Sequence, residues 1–155
     1  MMMIIALMTA LLCAGQPLEA AAAPMDSTAV SAPGRIELTI APVRVDDGGD
    51  VLVALFADED SWLEMDMAYA RQSLPADSDT LRVVFTGVPH GVYAAEVVHD
   101  KNRNGKFDMR WFPYPKPKEG AGVSRNNLRK GKPRYEPAVF EVGAEPVLLL
   151  IELRY

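Results

Sequence analysis

The sequence predicts an all-β domain, an antiparallel β-sandwich of about 6–7 strands with one short helix or crossover and a long basic loop. Three observations carry this expectation. Short apolar stretches alternate with polar residues at period two, Gly/Asp/Pro clusters punctuate them at regular spacing, and a helical period shows in one short segment alone.

The chain has 155 residues, about one domain's worth. Its start stands apart from the fold. Met1 to Leu12 is nearly all apolar, and Glu19-Ala20-Ala21-Ala22-Ala23-Pro24 supplies the small residues a signal peptidase needs. The apolar run is too short to span a bilayer. Residues 1–23 therefore read as a signal peptide cleaved after Ala22 or Ala23, although no Lys or Arg precedes the apolar run. The domain is expected in the periplasm or outside the cell, with no transmembrane segment once the signal is removed. Cys13 offers another reading, a lipoprotein acylated at that cysteine, but Leu12 stands where a lipobox has a small residue. Cys13 is also the single cysteine, so the mature chain has no thiol; disulfides and thiol catalysis are excluded.

Residues 24–34 lack periodicity and read as a flexible lead-in. Residues 35–155 then form a single domain, long enough for one core and not for two. Arg35 to Val43 alternates, with Ile36, Leu38 and Ile40 on one face and Glu37 and Thr39 on the other, as in a half-buried strand. Asp46-Asp47-Gly48-Gly49 predicts a hairpin turn, its glycines supplying positive φ. Asp50 to Ala57 is apolar on both faces and reads as a central strand.

From Asp58 to Leu74 the pattern changes. Trp62, Met65 and Tyr69 fall at helical spacing after a capping Asp60 or Ser61, so a short amphipathic helix or irregular crossover is expected, ended by Pro75. Its aromatic and Met stripe reads as core packing. Leu81, Val83 and Phe85 alternate with polar residues as a third strand, and Gly87 to Gly91 is the next turn. Val92 to His99 is a fourth strand. Residues 109–136 form a Pro-, Gly- and Lys/Arg-rich excursion. Ala138–Val142 and Val147–Leu153 close the domain as two further strands.

The fourth strand runs into the stretch that carries chemistry. From Asp100 to Asp108, oxygen-bearing side chains recur at every second residue, followed by Gly105 and a further carboxylate. An extended turn sends alternate side chains to its concave side, and glycine permits the sharp bend that wraps a hard cation. Counted from Asp100 as position 1, Asn102, Asn104, the Lys106 carbonyl and Asp108 occupy positions 3, 5, 7 and 9, the ligand positions of a calcium loop. Position 12 is Trp111, where an EF-hand has a bidentate glutamate, and no helices flank the loop. The loop is the first half of such a site grafted onto a strand. It supplies about five oxygens where calcium takes about six to eight, so water or a distant carboxylate completes the set. Glu119, Asp58 and Glu59 are the candidates. Two formal negative charges suit a weak Ca2+ site, with Kd of about 10⁻⁴–10⁻³ M, and Lys101, Arg103 and Lys106 lower its affinity further. The competing reading is an Asx-rich turn that bonds its own backbone. His99 suits a transition metal, but no second His or Cys stands at useful spacing.

Arg110 to Arg134 holds eight basic residues against one acid, Glu119, while the whole chain carries a formal charge of −5. Such segregation marks either a solvated loop or a surface for headgroups and polyanions. Trp111 and Tyr114, with Arg129, Lys130 and Lys132, are the expected binding surface; the same aromatics could instead pin the loop to the sandwich. No Ser-His-Asp arrangement, paired-carboxylate signature, phosphate-binding glycine loop or zinc motif is present. The expected class is thus a non-enzymatic module that binds an envelope protein or glycan and no nucleic acid. Two other classes compete with it. One is a metal-dependent enzyme using Asp100, Asp108 and His99; the other is a polyanion or lipid-headgroup module working through residues 110–134.

Gly87-Val-Pro-His-Gly-Val-Tyr93 followed by His99-Asp-Lys-Asn-Arg-Asn-Gly-Lys-Phe-Asp108 resembles the DUF2141 family of exported bacterial proteins. That family's pattern continues with a proline and a Glu-Gly-x-Gly-x-Ser-x-Asn segment, matched here by Pro117, Glu119, Gly120, Gly122, Ser124 and Asn126. The resemblance covers about residues 35–153. It implies an Ig-like or transthyretin-like sandwich and an exported location, and no established activity. Met109 to Pro115 stands where the family pattern has an Asn and a Gly.

Overall fold

The computed structural model describes residues 32–126 and 131–155. The predicted signal peptide, Cys13, most of the lead-in, Arg129 and Lys130 lie outside the described residues. Among the described residues no helix is long and apolar enough to cross a membrane.

The strands are β1 (Gly34–Ala41), β2 (Asp50–Phe56), β3 (Ala70–Pro75), β4 (Leu81–Val88), β5 (Gly91–Asp100), β6 (Met109–Arg110), β7 (Lys116–Pro117), β8 (Gly120–Val123), β9 (Phe140–Val142) and β10 (Val147–Glu152). They build a three-stranded sheet, β10-β1-β4, and a five-stranded sheet, β3-β2-β5-β8, with β9 on the first residues of β5. The fold is all-β, as the alternation predicts. Ile36, Leu38 and Ile40 of β1, Val83 and Phe85 of β4 and Ile151 of β10 face Val51, Val53, Leu55, Tyr93 and Val97 of the other sheet in one core.

Strand β2 lies between β3 and β5, and its second apolar face is used as well. Ala54 and Phe56 pack with Ala94, Val123 and Ala138 under Trp62, whose ring stands edge-on to Phe56 and Tyr135. Trp62 Nε1 donates to the Pro133 carbonyl at 2.9 Å, tying two covering segments together.

Four expectations are corrected. The sheets are not purely antiparallel, because β1 and β10 pair in parallel, Ile36 opposite Val147 through Ala41 opposite Glu152. Asp46 to Gly49 is not a hairpin turn. Both edges of β1 are taken by β4 and β10, so the turn carries the chain into the other sheet. Glycines there report positive φ, 62° at Gly48 and 82° at Gly49, but not which strands pair.

The segment after Asp58 is no amphipathic helix. The Asp58 carboxylate accepts from the Ser61 amide, a single 3-10 turn spans Met65–Met67, and the open edge of β2 recruits Ala70–Pro75 as β3. Trp62 still packs as core, whereas Tyr69 is largely exposed against Tyr93. Finally, the basic excursion contains a strand of the main sheet, β8, paired with Glu96 to His99. Gly-Ala-Gly-Val shows no strand signal because packing excludes side chains. A Cβ at Gly120 would meet the Tyr155 ring at 2.5 Å, and one at Gly122 the Glu152 carbonyl at 2.6 Å.

Candidate functional site

Strand β5 is buried along most of its length and ends by burying Asp100 to 1 % exposure. An interior carboxylate needs partners. Asp100 Oδ2 accepts from the Gly105 amide at 2.7 Å and Oδ1 from the Asn104 amide at 3.2 Å, which folds the following five residues back over it. The same logic repeats outward. Asn102 Oδ1 accepts from the Asn104 amide at 3.0 Å, and Asn104 Oδ1 from the Lys106 amide at 2.9 Å. Arg103 and Gly105 take positive φ, 57° and 74°, to close these turns. The amide nitrogens of Asn102 and Asn104 then both donate to Asp108 Oδ2, at 2.7 and 3.1 Å. Asp100, Asn102, Asn104 and Asp108 are thus brought together.

Glu119, one of three residues expected to complete the set, is placed at the loop. It is 2 % exposed, and its two oxygens accept from the Lys101 amide at 3.1 Å and the Asp108 amide at 2.9 Å. It therefore clamps both ends of the loop. Burial pushes its carboxyl above the ordinary range, and Asp100 and Asp108 push the same way, against the two backbone donors. Asp58 and Glu59 are not at the loop. They follow the far end of β2, roughly 20 Å along the strand from Asp50, the register partner of Asp100.

The flanking cations differ from expectation. Lys101 pairs with Asp47 at 2.5 Å and Arg103 with Asp50 at 3.1 Å, so two of the three pair with carboxylates of the preceding turn and the start of β2. Lys101 holds the Asp47 carboxyl below its ordinary range. Lys106 stays exposed.

His99 points away from the loop oxygens. Its Nε2 donates to the Gly48 carbonyl at 2.7 Å, and its Nδ1 meets the Tyr155 hydroxyl at 2.9 Å. Among the described residues no three His, Cys, Asp or Glu side chains converge as a metal group, so any cation here must use the Asn oxygens and backbone carbonyls too. Tyr155 was invisible as a site residue, a lone C-terminal aromatic with no motif. It packs edge-on to His99, under the Arg44 guanidinium at 4.1 Å from its ring centre.

Of the expected binding surface, Trp111, Tyr114 and Lys132 are among the described residues. Trp111 and Tyr114 lie in the loop joining β6 and β7, exposed and not pinning the excursion to the sandwich. Lys132 favours the charged form of Glu96 on β5. Glu96 itself was missed. It is buried on β5, and its Oε2 has no hydrogen-bond partner among the described residues.

Ser124 Oγ accepts from the Ala95 amide at 2.9 Å and donates to the Ala138 carbonyl at 2.5 Å. Asn126 uses its amide to bond the Leu150 carbonyl and the Glu152 amide on the edge of β10. With Gly120 and Gly122 seated against β10 and Tyr155, the whole Glu119–Asn126 segment joins loop, sheets and C-terminus.

These features define a class: a small two-sheet β-sandwich with an Asp/Asn loop at the end of its most buried strand, clamped by one glutamate. The chain belongs to the DUF2141 family, described as uncharacterized protein conserved in bacteria, whose pattern matches residues 39–148. The match runs from β1 into β10 and includes the loop and Glu119–Asn126. No curated protein and no solved structure matches the chain.

Proposed function

We propose that this protein is an exported, non-enzymatic β-sandwich module whose Asp100–Asp108 loop takes a calcium-type cation, which stabilises the fold, and whose β6–β7 hairpin is a binding surface. The observation that carries this reading is the Glu119 clamp. Two nearly inaccessible carboxylates, Asp100 and Glu119, are gathered at one loop with Asp108, while the nearest cations pair elsewhere. A hard cation would balance that charge, and the donor set is oxygen throughout. Asp100, Asn102, Asn104, Asp108 and the Lys106 carbonyl would hold it, Glu119 fixing the ends. The apolar N-terminal run supports export.

Thermal unfolding of the chain lacking residues 1–23 tests this, in EDTA and then in millimolar calcium, magnesium or zinc. A cation bound at tens of Kd to the native state alone raises the midpoint by about a few degrees. The rise is expected with calcium and is lost in Asp100→Ala. A rise with zinc alone would favour the metal-enzyme reading, and no rise with any ion would contradict a cation site.

A further inference from the structure

We propose that the β6–β7 hairpin is a membrane-insertion tip that docks the protein on an anionic lipid surface. Met109 pairs with Pro117 and Arg110 with Lys116, so residues 111–115, Trp-Phe-Pro-Tyr-Pro, form the tip. Its aromatics face solvent, at 73 % for Trp111, 84 % for Phe112 and 64 % for Tyr114. Three large rings in four residues, packed on nothing, are a surface to be covered rather than a core.

Three features of the hairpin select a lipid surface over a protein or a glycan. The first is charge placement. The register sets Arg110 directly opposite Lys116, a like-charge pair that destabilises an isolated hairpin and is relieved by an anionic partner. Lys118 follows, residues 110–118 contain no acid, and none of the three cations forms an ion pair among the described residues. The second is layering. The aromatics occupy the tip and the cations the neck, which matches rings at the acyl boundary with Lys and Arg at the headgroups. The third is the backbone. Pro113 and Pro115 remove amide donors from the part that would enter the apolar layer, where an unsatisfied donor is strongly unfavourable.

The hairpin is also braced. Lys118 N donates to the Asp108 carbonyl at 3.0 Å, and the next residue is the Glu119 clamp, so the tip projects from the ordered loop. The assignment rests on the proposed hairpin surface and not on a bound cation, and its test is run in EDTA to keep the two separate.

The chain has two tryptophans, Trp111 at the tip and Trp62 in the core, which gives a direct readout. The chain lacking residues 1–23 is mixed with phosphatidylglycerol vesicles whose acyl chains are brominated, and with phosphatidylcholine vesicles of the same kind. Trp111 emission is expected to be quenched on the anionic vesicles, and Trp111→Phe, which keeps an aromatic tip, should remove the quenching but keep sedimentation with them. Changing Trp111, Phe112 and Tyr114 together to Ala should weaken binding about tenfold or more. Neutralising Arg110, Lys116 and Lys118 to Gln should weaken it about a hundredfold, and added salt should weaken binding of the parent chain. Absence of quenching on anionic vesicles would overturn the assignment. So would vesicle binding that the three alanines leave unweakened, or equal quenching on phosphatidylcholine. Retention on an anionic polysaccharide without vesicle quenching would overturn it in favour of a glycan surface.

Discussion

Gly49→Ala is expected to destabilise the domain by about 3 kcal/mol or more, with midpoints read from urea unfolding. Gly49 has φ +82°, and a Cβ there would land on the Asp100 carbonyl oxygen, 2.6 Å from the Lys101 Cα and 2.9 Å from its carbonyl carbon. Those are backbone atoms at the start of the loop, held by the β2–β5 ladder and by Glu119, and they cannot move aside as a flexible side chain would. Gly48→Ala is the matched control. It has φ +62° and ψ −155°, a conformation that favours glycine, but nothing within 4 Å of the added methyl, so it should lose less, about 1–3 kcal/mol, the backbone part alone. Equal losses in the two variants would show that Asp100 and Lys101 do not press on the turn.

Stability is expected to fall as pH rises from about 5 to 8, and Glu96 is the largest single reason. Burial, and then the nearby Glu64, push its carboxyl up to about 8 from an ordinary 4.5, while Lys132 opposes them. The folded chain therefore keeps a proton that the unfolded chain releases through this window. Below the unfolded value both states are protonated and Glu96 contributes no pH dependence. Through the window the folded state loses up to about 1.4 kcal/mol per pH unit, a few kcal/mol in all. Glu119 shifts in the same direction, so the change is isolated by comparison with Glu96→Gln. The stability gap should move steadily in favour of Glu96→Gln between pH 5 and 8. Parallel pH profiles for the two chains would contradict the account.

How legible this was in the sequence depends on which force set each element. β1, β2, β4 and β5 were readable because one face, or both, is buried, and burial writes its period into Ile36/Leu38/Ile40 and Val51/Val53/Leu55. β3 was not, because it forms to satisfy the edge of β2 and its side chains are mostly exposed. β8 was invisible for the opposite reason: its neighbours lie so close that Gly120 and Gly122 leave no side chains to show a pattern. The parallel β1–β10 pair depends on contacts far apart in the chain, which local periodicity does not encode.

The loop was legible residue by residue, because Asx side chains bond their own backbone two residues on. Its long-range parts were less so. Glu119 could be named from the count of missing oxygens but not chosen over Asp58 or Glu59. The pairing of Lys101 with Asp47 and of Arg103 with Asp50 follows only once the preceding turn is seen to lie against the loop.

The central claim is that the loop is a built cation site, and an amide-resolved calcium titration by NMR of the chain lacking residues 1–23 tests it most directly. The amides to follow are Asn104 and Gly105, which donate to Asp100, and Lys101 and Asp108, which donate to Glu119. The account predicts saturable shifts concentrated at these four, with a midpoint of about 10⁻⁴–10⁻³ M, abolished in Asp108→Ala. A folded chain whose loop amides stay unmoved well past that range, at about 10⁻² M calcium, would contradict it and leave the loop as a self-bonded turn.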